Sequence, residues 1–232
     1  MRFQNGNLLF SLFGFPVTVN WVFWIVAALL GGAIGANSPD AFKFVLIWVA
    51  VVFVSILWHE LGHAFFQRRF GGRPSILLYG FGGLAQSEGR FSRRQSLVIS
   101  AAGPCASLLF GLVTLGFVVA NGWAAKVWLI SIRGEVPSNI FLIVLYQSLL
   151  QVNIFWAFLN LLPVQPLDGG HILSALAGGR MSNRTIAIIG GVAAGGVAIV
   201  ALLYRQFFIA VLFGYLAYTN YQRANNVHRG FW

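Results

Sequence analysis

The stretch His59-Glu60-Leu61-Gly62-His63 lies inside an apolar run that covers about residues 42–66. If this run is helical, the two histidines lie one turn apart on one face, where both can bind a single zinc ion. The glutamate between them can reach a water molecule on that ion and act as a general base. The stretch therefore predicts a zinc hydrolase whose site lies in or at a lipid bilayer.

The composition is that of a membrane protein. Of the 232 residues, 58% are hydrophobic and 9% are charged, and the mean hydropathy is +0.79. Ordinary soluble domains carry about 25% charged residues. The formal net charge is +10, but most basic residues are arginines that flank the apolar runs. This distribution is typical of membrane topology and not of a nucleic-acid-binding face, so we expect no nucleic-acid partner.

The apolar runs predict an all-α polytopic membrane protein with about six transmembrane helices. These runs lie at about residues 17–36, 42–66, 95–120, 139–162, 185–203 and 206–221. Leu8–Val19 and Ser75–Gln86 are apolar but interrupted by glycine or proline, which predicts short interfacial strands, with a glycine-rich loop as the alternative. We expect one integral-membrane domain over residues 1–232. Its core helices would lie at about 42–66, 95–120 and 139–170, with the other three helices at its periphery.

The basic residues set the expected orientation. If the N-terminus is cytoplasmic, every basic residue falls on the cytoplasmic side except Lys43, Lys126, Arg133 and Arg205. Both termini are then cytoplasmic, and His63 lies only five residues before Arg68, so the motif lies nearer the cytoplasmic face. The first residues do not resemble a removable signal peptide, and a bacterial-type cytoplasmic membrane is the expected location.

A catalytic zinc site needs a third protein ligand. The chain has five acidic residues, of which Glu60 and Asp168 lie in long apolar stretches. An ionisable residue at bilayer depth costs roughly 2.5–3.5 kcal/mol on insertion scales, so each acid is a functional candidate, with pairing to an arginine as the alternative. Two prolines before Asp168 are expected to break the fourth helix. Gly169 and Gly170 after it are expected to let the backbone turn, and the broken helix is expected to aim the carboxylate inward.

Two motifs are combined in this chain: H-E-x-x-H in the second segment, and N-L-L-P-x-x-P-L-D-G-G, which begins at Asn160. Together they resemble the site-2 protease family of intramembrane zinc metalloproteases. The chain resembles a minimal member of that family, without a PDZ or CBS domain. The resemblance implies one Zn²⁺ per chain held by His59, His63 and Asp168, with Glu60 as the general base.

The resemblance also implies how a substrate is held. Asn160 matches an asparagine that the family is thought to use in holding the substrate backbone, and Asn153, two turns earlier, is a second candidate. The strand around Gly82, Gly83 and Leu84 matches the region implied to pair with an unwound substrate. The expected activity is hydrolysis of a peptide bond in or near a transmembrane segment. The expected partners are a transmembrane protein substrate, the lipid bilayer and a regulatory membrane protein.

Two other functions fit parts of the sequence. A metal-ion transporter also places histidines and acids inside helices, but this chain has one compact ligand set and no row of polar residues across the membrane. An inactive relative that binds membrane helices without cleaving them is a further alternative, against which the intact Glu60 argues. Cys105, the only cysteine, lies among small residues at 101–107, which we interpret as a helix-packing surface.

Overall fold

The computed structural model describes residues 2–4, 6–80, 82–127 and 130–226. Arg229, one of the basic residues predicted to be cytoplasmic, lies outside the described residues. The chain divides into two compact units, Met1–Arg90 with Ala102–Ala157 and Phe91–Ala101 with Phe158–Trp232. The strands of the described residues are β1 (Arg2–Gln4), β2 (Asn7–Leu12), β3 (Phe15–Val19), β4 (Arg73–Tyr79), β5 (Gly82–Glu88), β6 (Ala125–Val127) and β7 (Ile130–Ile132). Their α-helices are α1 (Trp21–Leu30), α2 (Pro39–Arg69), α3 (Arg93–Ala120), α4 (Ile140–Asn160), α5 (Asp168–Ala177), α6 (Asn183–Leu203) and α7 (Phe207–Asn226).

The first unit contains a five-stranded sheet in the order β1-β2-β3-β4-β5. Neighbouring strands are antiparallel except β3 and β4, which run parallel with Val17 opposite Ile76. Alternate side chains of these two strands are buried because successive residues of a strand face opposite sides. Val19 and Leu78 lie on the buried side, in one apolar cluster with Phe23 of α1 and residues of α2. The predicted strands are confirmed, and β1 enlarges their sheet. Their position at the membrane interface stays a prediction.

Helix α2 carries the H-E-x-x-H motif, and the sequence determines where it begins. The Ser38 side chain accepts a hydrogen bond of 3.2 Å from the backbone N–H of Ala41, and Pro39 occupies the first turn, where its missing N–H costs nothing. Near the other end, Arg68 donates a hydrogen bond of 2.9 Å to the carbonyl of Phe13. The 31 residues of α2 extend about 46 Å, which exceeds the hydrocarbon thickness of about 30 Å.

The second unit contains α5, α6 and α7. Helices α6 and α7 pack along each other, and their apolar cluster includes Val164, Ala194, Phe213 and Leu216. Helix α6 begins after Ser182, whose hydroxyl accepts from the backbone N–H three residues later at 3.1 Å. Val164 comes from the turn before α5, so this turn is part of the hydrophobic core of its unit.

Four helices of the described residues, α2, α3, α4 and α6, are long and apolar enough to cross a membrane. They coincide with four predicted segments. The first predicted segment, 17–36, differs because residues 17–19 belong to β3 and α1 has only 10 residues, or about 15 Å. Helix α7 covers the sixth segment but is less apolar. The total of six spans and the single domain stay predictions.

Candidate metal centre and active site

The two motif histidines lie on a buried face of α2. His59 and His63 are 3% and 7% exposed, and their Nε2 atoms are 3.1 Å apart. Two imidazole nitrogens bound to one tetrahedral zinc at about 2.0–2.1 Å are separated by about 3.3 Å. The pair therefore has the spacing that a shared zinc ion requires.

Helix α3 supplies the surroundings of this pair. The Ser107 Oγ lies 3.1 Å from Nδ1 of His59. A proton on Nδ1 that is donated to this hydroxyl leaves the lone pair of Nε2 directed toward a metal. A Cβ at Gly103 would overlap Nε2 of His63 and lie 2.7 Å from Nε2 of His59. A glycine is therefore required at position 103 to leave room for the Nε2 atoms of both histidines.

These roles were not predicted from the sequence, where this part of α3 was assigned to helix packing. Packing is indeed close: a Cβ at Gly62 would lie 2.6 Å from the carbonyl oxygen of Ala102. Gly103 and Ser107 are four residues apart and share one face of α3. A glycine and a hydroxyl at that spacing, on a helix expected to lie beside the histidines, were the signal that could have found them.

Glu60 lies against strand β5. Its side chain is 5% exposed, and a Cβ at Gly83 would lie 2.6 Å from its Oε1. The Gln67 side chain, two turns later on α2, donates a hydrogen bond of 2.9 Å to the carbonyl of Ala85. Helix α2 therefore holds β5 by one hydrogen bond and leaves no side-chain space between the strand and the glutamate. Within the sheet of the described residues, β5 is the last strand, so one of its edges is unpaired there.

The second motif forms a turn between two helices. Helix α4 ends at Asn160 and α5 begins at Asp168, which confirms the predicted break. The proline ring cannot continue the helical hydrogen bonding, and the Gln165–Pro166 peptide is cis. Asp168 occupies the first turn of α5, where the positive end of the helix dipole stabilises a carboxylate.

The role predicted for the two glycines after Asp168 is wrong. Both lie within the first turn of α5, and neither has a positive φ, so they do not provide a turn. Instead they allow close approach: a Cβ at Gly169 would overlap the carbonyl of Leu161, and one at Gly170 would lie 2.7 Å from the backbone nitrogen of Gln165. The physical reason for the pair is steric, because α5 folds directly back on the turn that precedes it.

Three potential metal ligands come from the two motifs. His59 and His63 belong to the first unit and Asp168 to the second, so Asp168 as the third ligand stays a prediction. Two imidazoles and a carboxylate form a donor set that suits zinc, and three protein ligands leave a fourth position open, as catalytic zinc sites do.

The predicted substrate-binding residues have different surroundings. Asn153 is 1% exposed, and its Nδ2 donates to Ser55 Oγ at 2.9 Å and to the carbonyl of Leu149. This geometry favours a contact that holds α4 against α2, one turn before His59. Asn160 is half-buried at the end of α4. Gly82, Gly83 and Leu84 form the start of β5, and Leu84 is exposed. Substrate binding by these residues stays a prediction.

The family model of peptidase family M50 matches residues 47–203, a stretch that includes both motifs. The chain belongs to peptidase family M50. The peptidase is 28% identical over 169 residues to a zinc metalloprotease of Methanocaldococcus jannaschii. The aligned residues cover 72% of this chain and 44% of that protein. It is 30% identical over 201 residues to a putative zinc metalloprotease of Mycobacterium tuberculosis, and the aligned residues cover 82% of this chain and 48% of that protein.

The peptidase therefore spans about half the length of the curated relatives that it matches. Its fold is similar to that of the solved site-2 protease from Methanocaldococcus jannaschii, with a TM-score of 0.61, 24% identity, and 94% and 95% of the two chains covered. The resemblance to site-2 proteases is confirmed. The family and the names of these relatives support a zinc metallopeptidase with the fold of a site-2 protease, and its apolar helices make it an integral membrane protein.

Proposed function

We propose that the peptidase hydrolyses a peptide bond in or near a transmembrane segment of a membrane-protein substrate, as in regulated intramembrane proteolysis. The main support is the position of the motif. His59, Glu60 and His63 lie on α2, a helix long and apolar enough to cross a membrane. A hydrolytic site on such a helix is accessible to a neighbouring transmembrane segment and is remote from soluble proteins.

We assign His59, His63 and Asp168 as the residues that would hold the zinc ion. The ion, when bound, supplies Lewis-acid chemistry: it lowers the pKa of a water molecule and polarises the scissile carbonyl. Both histidines are buried, and the Ser107 hydroxyl orients the His59 ring. The first turn of α5 orients Asp168.

We assign Glu60 as the general base and, later, the general acid. Its carboxylate takes one proton from the attacking water as the water oxygen bonds to the peptide carbon. When the carbon–nitrogen bond breaks, Glu60 passes that proton to the leaving amine. The backbone of Gly83 lies beside the Glu60 side chain and limits its movement, so the carboxylate is kept in place for both transfers.

The substrate would have to unwind, because an intact helix occupies its peptide carbonyls in hydrogen bonds. An unwound segment needs new partners for its backbone groups in the bilayer. Within the described sheet, β5 has an unpaired edge at Gly82, Gly83 and Leu84, and this edge offers such partners to an added strand. Gly83 lies beside Glu60, so a peptide on that edge would pass near the base. Asn160, and with less support Asn153, would hold the substrate backbone.

The remaining assignments concern the membrane. We propose a single domain with about six spans and both termini in the cytoplasm of a bacterial-type cell, with the site nearer the cytoplasmic face. Arg68 supports this position, because it lies in the last turn of α2 and arginines flank membrane helices on the cytoplasmic side. Its guanidinium lies 3.9 Å from the centre of the Phe15 ring. A regulatory membrane partner is the proposed control on substrate access.

The experiment that tests the function is cleavage of a transmembrane substrate by the purified peptidase in proteoliposomes. Glu60→Gln keeps the shape of the side chain and removes the base, so cleavage should fall about 10²- to 10⁴-fold while zinc content is unchanged. Cleavage by Glu60→Gln at the wild-type rate would overturn the mechanism. Zinc uptake into the liposomes by both forms, without cleavage, would favour a metal-ion transporter.

The ligand assignment has its own test, the zinc content of Asp168→Ala. Asp40→Ala is a matched control, because Asp40 also lies in the first turn of a helix and its ion pair with Lys43 at 2.8 Å is exposed. About one zinc per chain in the wild type and in Asp40→Ala, with clear loss in Asp168→Ala, is expected. Equal zinc in all three proteins would remove Asp168 from the site.

A further inference from the structure

The turn before Asp168 depends on donors from another helix. Helix α4 ends at Asn160, and the prolines of the turn have no N–H to donate. The carbonyl of Gln165, three residues before Asp168, accepts a hydrogen bond of 2.7 Å from Nδ2 of Asn220 on α7. Asn220 is 0% exposed. A buried amide inside an apolar helix is costly unless it is bonded, so this contact determines how α7 and the turn fit together.

A second contact joins α7 to the same residue. The Nη1 of Arg223, nearly one turn after Asn220, donates a hydrogen bond of 2.7 Å to Oε1 of Gln165. The Nε2 of Gln165 donates in turn to Ser174 Oγ on α5 at 3.0 Å, and Ser174 donates to the carbonyl of Gly170 at 2.8 Å. A continuous series of hydrogen bonds therefore runs from α7 through Gln165 to the first turns of the helix that begins at Asp168.

Helix α6 packs against the same place. A Cβ at Gly190 would lie 2.6 Å from Oδ1 of Asn220 and 3.2 Å from the carbonyl oxygen of Pro163. The glycine thus lets α6 contact both the buried amide and the turn. Among the described residues, Asn220 bonds to the backbone of the turn from 55 residues away, and Arg223 bonds to the Gln165 side chain from 58 residues away.

We propose that Asn220 and Arg223 are positioning residues for the zinc ligand Asp168, an inference that rests on the proposed function. Together they fix the backbone and the side chain of Gln165, and Gln165 fixes the start of α5. Loss of these contacts would let the carboxylate move by the small distance that weakens metal binding. The zinc affinity of the peptidase would then depend on the position of α7, a helix that carries no zinc ligand itself.

The test is the zinc dissociation constant of the detergent-solubilised peptidase, measured by competition with a chelator, together with Tm. Asn220→Leu removes the amide while keeping the number and branching of side-chain heavy atoms, and it should weaken zinc binding about 10- to 100-fold, the range found for groups that orient ligands. Thr219→Val is its control, because the Thr219 hydroxyl bonds only within α7, to Leu216 at 3.0 Å, among the contacts of the described residues.

The second variant avoids the buried position. Arg223 is exposed, so Arg223→Met should fold; we expect a several-fold loss of zinc affinity, and Arg223→Lys should restore most of it by keeping a donor. Gln222→Ala is the matched exposed control, since Gln222 bonds to Tyr218 on its own helix. Wild-type zinc affinity in Arg223→Met and Asn220→Leu, even with a lowered Tm, would overturn the proposal. If Asn220→Leu does not fold, the result for Arg223→Met alone decides.

Asp168→Ala in the same assay separates this inference from the proposed function. Weaker zinc binding in Asp168→Ala but not in the α7 variants means that Asp168 is a ligand and that α7 does not position it. Wild-type affinity in Asp168→Ala means that the ligand assignment itself has failed, whatever the α7 variants show.

Discussion

The two parts of the candidate zinc site are built in different ways. His59, Glu60 and His63 lie within five consecutive positions of one continuous helix, whose hydrogen bonds are local. Asp168 begins a new helix after a turn that contains two prolines and a cis peptide. Its position depends on Gln165, which bonds to residues of α5 and α7 rather than to its immediate neighbours.

The contrast determines how each part responds to mutation. In α2 the 3.6-residue period places the two imidazoles, and the long helix maintains that geometry whatever happens to a single contact. In the turn, the same accuracy requires several tertiary contacts at once. We therefore expect mutations near the histidines to change zinc binding without unfolding, and mutations near Asp168 to change zinc binding and stability together.

Among substitutions outside the ligands themselves, the one at Gly103 should have the largest effect on zinc binding. Gly103→Ala places a methyl group against Nε2 of both histidines, so zinc affinity should fall about 100-fold. The obstructing atoms are ends of side chains, and alanine favours helix over glycine by about 1 kcal/mol. Tm should therefore be maintained. Gly116→Ala on the same helix, where a Cβ would have nothing within 4 Å, is the control. Zinc affinity unchanged in Gly103→Ala would mean that the rings face elsewhere.

Gly169→Ala should act differently, because its methyl group would overlap backbone atoms of Leu161 that cannot move alone. Overpacking of this kind costs about 1–3 kcal/mol, so Tm should fall, and zinc affinity should fall about 50-fold as Asp168 shifts. Gly196→Ala on α6, which has open space at its Cβ, should do neither. Calorimetry and chelator competition on both variants make the comparison. A Gly169→Ala protein that is less stable but binds zinc normally would contradict the coupling of turn and ligand.

The sequence predicted the helical part of the fold well. Apolar runs identified α2, α3, α4 and α6 within a few residues, because a stretch that must bury some twenty residues in lipid is unambiguous in composition. The first segment was predicted less well. Residues 17–19 are as apolar as a membrane helix, but they pair with Leu8–Phe10 and with Ile76–Leu78 as part of a sheet. Strand pairing between residues far apart is not visible in a local pattern.

The site shows the same limit. The spacing of His59 and His63 was enough to predict that their nitrogens converge, and the structure places them 3.1 Å apart. The steric role of Gly169 was not predicted, because it depends on where Leu161 lies after the chain reverses. Ser107 and Asn220 were missed for a related reason: their partners lie 48 and 55 residues away in sequence. A polar residue in an apolar helix predicts that the residue has a hydrogen-bond partner, but the local sequence does not show which residue the partner is.

Gly83→Ala should affect catalysis more than binding of the metal. Its methyl group would lie 2.6 Å from Oε1 of Glu60, and a base displaced by a fraction of an ångström should lower kcat about 30-fold, less than the 10²-fold that a 1 Å misplacement can cost. Zinc content should be unchanged, as for Glu60→Gln. Steady-state cleavage of a transmembrane substrate separates two effects. A lower kcat indicates displacement of Glu60, whereas a higher KM alone would indicate that Gly83 acts only on substrate pairing.

The smallest of these effects is expected at Ser107, whose hydroxyl contacts the proposed zinc ligand His59. Ser107→Ala removes the acceptor at 3.1 Å from Nδ1 of His59, so the ring loses one constraint on its orientation and tautomer. Zinc affinity should fall about tenfold, the lower end of the range for such partners. Ser107→Thr, which keeps a hydroxyl, should recover part of the lost zinc affinity.

Ser100→Ala, at another buried serine of α3, is the control for loss of a buried hydroxyl. Equal losses in Ser107→Ala and Ser100→Ala would show that helix packing, and not the histidine, is what the hydroxyl supports. If zinc affinity falls only in Ser107→Ala, then even the helical part of the site depends on one contact between residues distant in sequence.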